Sequence, residues 1–401
     1  MILIAGAGIG GLAAALSLHH AGLACRVFEQ SAAVRELGVG VNVLPHAIAI
    51  LADLGLLPAL DAAGIRTREL TLANRFGQAV WTELRGTEAG HAAPQFSIHR
   101  GRLLGVLHAA AVARGIPVRT GERLAGFSQN ADGVTAVFET GETVTGEALI
   151  GADGIHSVVR HAFFKEGPPA WTGIMLWRGA VEWPVFADGR SMLVAGGMRA
   201  KFVLYPIMQS RPGTRLTNWA VAARVSDGST PPPRREDWSR PGRLEDLLPF
   251  VQDNFQLDRL GMVDPMALIR ASAAFWEYPM CDRDPLPAWT HGRVTLLGDA
   301  AHPMYPVGSN GASQAVLDGA ALARHVLALG AARGLAAYDA ERRPATAEVV
   351  RLNRAGGPER VIDVVEERAP YGFSDIEAVA SHAERQAIVR GYAVTAGFAP
   401  V

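Results

Sequence analysis

The chain has 401 residues, 49% hydrophobic and 19% charged, with a formal net charge of −1. That is ordinary composition for two globular domains or one elaborated one, and no global field draws such a chain to nucleic acid or to an anionic membrane. No apolar run is long enough to span a bilayer, and Cys25 and Cys281 show no metal or redox spacing, so a soluble, cytoplasmic protein with buried thiols and no metal is expected.

The chain opens MILIAGAGIGGLAAALSLHHAG. Residues 1–5 predict a buried strand stopped by glycine, and residues 12–20 predict a helix that ends at Gly22. Between them Gly6, Gly8 and Gly11 form G-x-G-x-x-G, and residues 24–28 predict a second strand that ends in Glu29. The first glycine permits the tight turn, the second lets the backbone approach a pyrophosphate, and the third lets helix and strand pack closely. The helix N-terminus then offers free N–H groups and partial positive charge to phosphates. Glu29, 18 residues after Gly11, is placed to accept hydrogen bonds from an adenosine ribose. A carboxylate there disfavours a 2′-phosphate, so the tightly held nucleotide is expected to be FAD or NAD and not NADP.

Residues 61–70 lead away from this unit, and residues 70–95 read as strand-rich, with a turn at Phe76-Gly77-Gln78. A helix is predicted over 101–113, with Arg100 just before it. Residues 126–147 resemble a β-meander, and residues 148–151 form a short apolar strand running into GADGIHSVVR, where Asp153 sits at the strand end. The apolar–polar alternation of residues 174–224 predicts a second, distinct sheet. The proline-rich stretch 227–241 predicts a surface loop. Residues 293–297 then form an apolar strand that stops at Gly298, and a carboxylate, Asp299, follows it. A proline- and glycine-rich loop and a small-residue helix come next, and beyond Gly319 the chain reads as largely helical, through YDAERRP to a C-terminal segment of weak signal.

A βαβ unit at the start and a second strand–Asp–loop–helix some 290 residues later suggest one composite site. Asp299 is expected to accept hydrogen bonds from the ribityl hydroxyls of a flavin, the plainer alternative being a helix cap. The amides around Gly308, Asn310, Gly311 and Ala312 are expected to face the pyrimidine edge of the flavin ring, which is anionic when reduced.

GAGIGG with Glu29, GADGIHSVVR, and LLGDAAHPMYPVGSNGA followed by YDAERRP together resemble the class A flavoprotein monooxygenases, the FAD-dependent aromatic hydroxylases, over residues 1–345. Within that family VWTELRGTEAG, PQFSIHRG, LWRG and YPMCDRDPLPAW are most similar to the branch that hydroxylates phenazine carboxylates; salicylate-type hydroxylases match less of the middle segment. The resemblance implies an α/β fold in which a Rossmann-like FAD-binding domain (1–70, 99–170 and 281–345) is interleaved with a mixed-sheet substrate domain (71–98 and 171–280), followed by a helical segment (346–401). It implies that Arg100 contacts FAD, that Asp153 lies in a motif serving both FAD and NAD(P)H, and that Pro306, Gly308, Gly311 and Ala312 form the loop beside the ring. The implied reaction is hydroxylation of a small phenazine- or benzoate-like acid with NAD(P)H and dioxygen through a flavin hydroperoxide. No second G-x-G-x-x-G follows a strand, so NAD(P)H has no fold of its own and acts as a transient donor.

The second sheet is expected to wall the substrate pocket. Met175 and Trp177 fall on one face of its 174–179 strand and Arg178 on the other, and Tyr205 and Trp219 are further lining candidates. His46, His302 and Tyr205 are candidate bases, and Pro306 is a candidate beside the reacting ring. Gly38, Gly40, Gly308 and Gly311 would give the surroundings of a moving ring their backbone freedom. Alternatives are oxidation of a larger polycyclic compound such as a tetracycline, or a non-catalytic flavin-binding redox protein. A monomer or homodimer is compatible with the sequence.

Overall fold

The computed structural model describes residues 1–34, 39–233, 240–256 and 263–399. Strand Ile2–Ala5 is buried along its whole length, since its four apolar side chains are covered on both faces. It is the middle of a five-stranded parallel sheet in the order Val294–Leu296, Ala148–Gly151, Ile2–Ala5, Cys25–Glu29 and Val118–Thr120. The glycine-rich turn, the Asp153 loop and Asp299 therefore all leave the carboxyl ends of one parallel sheet, the end at which such sheets bind ligands.

Helix Ile9–His20 begins three residues before the predicted start, with Gly8 at its N-cap. Bare α-carbons allow this, because a Cβ on Gly11 would lie 2.0 Å from the Gly6 carbonyl oxygen. The helix is tucked into its own turn, which brings its first amides to the sheet end. Helix Arg100–Ala113 begins with Arg100 itself, one residue earlier than read from the sequence. The predicted meander is a three-stranded antiparallel sheet of Leu124–Gln129, Val134–Phe138 and Thr143–Gly146.

The second sheet has seven strands in the order Phe275–Asp282, Ala170–Pro184, Thr214–Arg224, Ala200–Gln209, Ser191–Ala195, Glu69–Ala73 and Ala79–Leu84. Its two faces have different fates. Met175, Trp177, Leu193, Phe202, Leu204, Trp219 and Val221 are buried in a core with Leu247, Val251, Leu268 and Ile269, which come from helices Leu244–Asn254 and Pro265–Arg270. The opposite face looks toward the nucleotide sheet. Of the strand-rich 70–95 stretch, the first two strands join this sheet and residues Gly86–Ala89 make a 3-10 turn. The strand that follows, Gln95–His99, instead lies between Gly40–Val43 and Gly64–Thr67.

Helices Gly311–Leu329 and Ala331–Arg354 follow, the second running through Pro344. Beyond them the chain continues as the turn Gly357–Glu359 and helices Arg360–Arg368 and His382–Thr395, which return to the substrate-side sheet through Val361, Ile362, Val365 and Val389. Cys25 and Cys281 are both buried, and burial pushes the Cys25 thiol up to about 11. No helix among the described residues is long and apolar enough to cross a membrane. Residues 234–239 of the predicted surface loop, and Gly38, lie outside the described residues.

Candidate active site

A cavity of about 380 Å³ lies between the two sheets. Its nucleotide side is formed by Gly8, Arg100, Ala152, Gly154, Asp299 and the loop running from Pro306 to Ala312, and its far wall by the inward face of the seven-stranded sheet.

The residues of the glycine-rich turn divide their work. Gly8 lines the cavity and a Cβ there would meet nothing within 4 Å, which leaves the open cradle a pyrophosphate needs. Glu29 instead clamps the backbone: Ala7 N–H donates to its Oε2 at 2.9 Å and Ser31 N–H to its Oε1 at 2.8 Å. Arg100 is exposed at the cavity edge, and its backbone N–H donates to Val39 O.

The two strand-end aspartates differ sharply. Asp153 braces a helix start: its Oδ2 accepts from Val158 N–H at 2.7 Å, and the N-cap Ser157 donates from Oγ to its Oδ1 at 2.5 Å while accepting from Arg160 N–H, at the start of helix Val158–Phe163. Burial raises its pKa, with these hydrogen bonds opposing. It does not line the cavity, although Ala152 and Gly154 on either side do. Asp299 caps nothing; it sits in the short turn Gly298–Ala300, exposed on the cavity wall, and accepts no hydrogen bond from the described residues. The helix-cap alternative for Asp299 does not hold, as no helix start lies against it. A free carboxylate facing a cavity suits vicinal hydroxyls, so Asp299→Ala is expected to weaken FAD binding about tenfold or more. Titration of FAD into the apo variant measures this, and wild-type affinity would place the ribityl chain elsewhere.

Behind the loop lies a buried polar network that no sequence motif announced. His302 Nε2 and Asp318 Oδ2 are 2.5 Å apart, and Arg342 donates from Nε to Asp318 Oδ1 at 2.8 Å and from Nη2 to Gln314 Oε1 at 2.5 Å. Gln314 Nε2 donates to Asn310 Oδ1, Asn310 Nδ2 donates to Tyr392 Oη at 2.7 Å, and Tyr392 Oη donates to Asn353 Oδ1 at 2.7 Å. Gly308 completes the brace. Its φ is +63°, and a Cβ there would lie 2.4 Å from Tyr392 Oη, so it packs outward on Tyr392 instead of lining the cavity. Ser309 also has a positive φ, +59°, uncommon for a side-chain-bearing residue and characteristic of functional loops. The loop is thereby fixed with Pro306, Ser309, Asn310, Gly311 and Ala312 against the cavity.

His302 is thus a buried partner of Asp318 and does not reach the cavity. His46 stacks on Phe398 at 5.9 Å, and burial, aided by Arg342 and His91 nearby, lowers its pKa to about 4; it too lies off the cavity. The Asp318 carboxylate is held below its ordinary value by His302 and Arg342 against the cost of burial. Its folded pKa is depressed, so its stabilisation is complete above the unfolded value near pH 4 and is lost as pH falls through the folded one. Arg342→Met leaves this fully buried carboxylate half-paired, and is expected to cost about 3–5 kcal/mol in a thermal or urea unfolding experiment.

On the substrate side the structure separates the predicted residues. Arg178 and Tyr205 line the cavity, with Ile174, Leu176, Met192, Val194, Val203, Ala220 and Ala222. Met175, Trp177 and Trp219 do not, which corrects the expectation that they wall the pocket. They occupy the opposite face, where Trp177 Nε1 donates to Glu277 Oε2 and Trp219 Nε1 to Ser272 Oγ. The period of two was legible in the sequence, but which face meets the flavin depends on where the covering helices dock.

Arg178 donates from Nη2 to Gly40 O and from Nη1 to Tyr278 Oη at 3.4 Å, and among the described residues no carboxylate forms an ion pair with it. Burial pulls its pKa down, and Tyr278 and Tyr205 more than offset this. Burial raises the Tyr205 phenol, with Arg178 opposing. Beside them Asn218, fully buried, uses Oδ1 to accept from Gly40 N–H at 2.8 Å, which leaves its Nδ2 without a partner in the cavity wall. Asn218, Lys201 and Glu359, also on the cavity wall, were not singled out from the sequence.

The comparisons agree with this geometry. A family model described as an FAD binding domain matches residues 1–175 and 282–353. The chain is 45% identical over 372 residues to a phenazine 1,6-dicarboxylic acid hydroxylase, PhzS, of Lysobacter antibioticus, covering 88% of this chain and 89% of that one. It is 31% identical to 3-hydroxybenzoate 6-hydroxylase 1 of Aquipseudomonas alcaligenes, over 80% and 79% of the two chains. Klebsiella pneumoniae HpxO, crystallised with FAD and uric acid, superposes with a TM-score of 0.76 at 24% identity, covering 100% of this chain and 97% of that one. An open cradle at Gly8, a free carboxylate at Asp299 and a braced amide loop fit FAD as the bound cofactor. The chain belongs to the FAD-binding-domain family of flavin-dependent aromatic hydroxylases.

Proposed function

We propose that the protein hydroxylates a flat, fused-ring aromatic carboxylate of the phenazine type in the cytoplasm, with NAD(P)H as transient hydride donor. The observation that carries this reading is Arg178, a guanidinium on an apolar stretch of the cavity wall that has no carboxylate paired with it among the described residues. A substrate carboxylate would complete it, with the free Asn218 Nδ2 as a neighbouring donor. Ala220, Ala222, Val203 and Leu176 form a floor on which a planar ring system would lie. In this reading the bound FAD supplies the dioxygen-activating chemistry, and Gly8, Arg100, Asp299 and the amides near Gly311 hold it. Tyr205 sits beside Arg178 and would hold a proton at its Oη near the substrate. The apolar wall excludes water from the reacting ring.

The reading is supported by the phenazine-acting relative and tested with a panel of phenazine, quinoline and benzoate carboxylates. Substrate-dependent oxygen uptake with mass detection of a product gaining one oxygen is expected for a fused-ring acid. Anaerobic stopped-flow bleaching of the flavin by NAD(P)H is expected to accelerate when that acid is present. Equal rates with and without it would argue for a permanently accessible ring, as in a simple reductase.

A further inference from the structure

Four residues before Tyr205 on the same strand, Lys201 faces another part of the cavity. Its side chain is buried, 6% exposed, and its ammonium pairs with the carboxylate of Glu359, itself 8% exposed. Glu359 comes from the Gly357–Glu359 turn, beyond the long helix, and it too lines the cavity. In the sheet Lys201 lies opposite Ala222, and Ala222 opposite Leu176, two residues from Arg178. Two strand spacings across and two residues along separate the α-carbons of Lys201 and Arg178 by about 12 Å. The side chains that line the wall between them, Leu176, Ala220, Ala222 and Val203, carry no polar group.

An ammonium has three donors. One is used on Glu359 Oε2, and a second points at Met198 Sδ, 3.8 Å away and a weak acceptor. Glu359 is not committed to Lys201 alone, since its Oε1 accepts from Gly308 N–H at 3.4 Å. The cavity therefore holds two cations on one sheet face, their α-carbons about 12 Å apart across an apolar wall, one without a carboxylate and one with a carboxylate supplied by the chain.

We propose that Lys201 is a second carboxylate-binding position, and that Glu359 closes it when the substrate carries only one acid group. The proposal rests on the reading of Arg178 given above. A monoacid anchors at Arg178 and leaves the Lys201–Glu359 pair intact. A diacid presents its second carboxylate to Lys201 and competes with Glu359, whose Oε1 retains the Gly308 amide. A purely structural pair would tie the C-terminal segment to the sheet and be indifferent to the number of acid groups on the ligand.

Calorimetric titration of FAD-loaded protein with phenazine-1-carboxylate and phenazine-1,6-dicarboxylate separates the two. Glu359→Gln keeps the shape and an acceptor for Gly308 but frees the Lys201 charge. It is expected to tighten the dicarboxylate about tenfold or more while the monocarboxylate changes by less than about threefold. In the double variant Lys201→Met/Glu359→Gln, which is neutral throughout, the dicarboxylate is expected to bind about tenfold more weakly than to wild type, with the monocarboxylate again little changed. That variant carries the test alone if the single one does not fold. An unchanged ratio of the two affinities in both variants would overturn the second site and leave the proposed function standing. Failure of both acids to bind all three proteins would overturn the second site and the reading of Arg178 together.

Discussion

Gly11→Ala is expected to yield a folded protein that has lost its FAD. The new Cβ would stand 2.0 Å from the carbonyl oxygen of Gly6 and 3.1 Å from its carbon, so the turn has to open. It has nowhere to go. Gly6 N–H donates to Phe28 O at 2.7 Å, Ala7 N–H donates to Glu29 at 2.9 Å, and a Cβ-sized displacement at Gly6 meets Ala152 O. Relief comes from moving the helix start outward, which withdraws its amides from the pyrophosphate position. Overpacking of this kind costs about 1–3 kcal/mol of stability. The effect on the cofactor is larger, because several phosphate contacts fail together, and a loss of about a hundredfold or more in FAD affinity is expected. Flavin absorbance per mole of purified protein and FAD titration of the apo form measure it, with circular dichroism to establish folding. Normal flavin content in this variant would mean that the pyrophosphate does not lie on the turn.

The second large effect is expected at Arg178. Arg178→Met keeps an unbranched stem in the cavity wall but removes the cation facing it and the donors to Gly40 O and Tyr278 Oη. Each charge-assisted hydrogen bond to a ligand carboxylate contributes about 1.5–3 kcal/mol, so a tenfold to hundredfold weakening of aromatic acid binding is expected. The corresponding carboxamides should bind wild type and variant within about threefold of one another, since they carry no charge for the guanidinium to meet. FAD content should be unchanged, because the residue lies on the substrate-side sheet and not on the nucleotide sheet. Equal weakening of acids and carboxamides would show that Arg178 acts by holding Gly40 and the strand around it. Arg178→Lys is expected to recover only part of the loss, as a point charge does not reproduce the guanidinium's fork.

The local chemistry of the nucleotide unit was written in the sequence. A glycine-rich turn between an apolar strand and an alanine-rich helix has few physical solutions, and its glycines, with Glu29 at the next strand end, lie within one short βαβ stretch. The two-faced character of the second sheet was equally legible, because alternation along residues 174–179 is a local property of extended chain. Tertiary structure decided what sequence periodicity leaves open. It chose the face: helices Leu244–Asn254 and Pro265–Arg270 cover Met175, Trp177 and Trp219, so Arg178 and Tyr205 are the ones left facing the flavin side. It separated the two strand-end aspartates, since only the chain path after each one determines whether a helix start lies against it, as at Asp153, or a cavity, as at Asp299. It also brought in Glu359 and Tyr392 from a C-terminal segment without a motif, across more than 150 residues to Lys201 and more than 80 to Asn310. Ion pairs and hydrogen bonds of that span leave no periodic trace along the chain, because each partner is fixed by packing of distant elements and not by its neighbours in sequence.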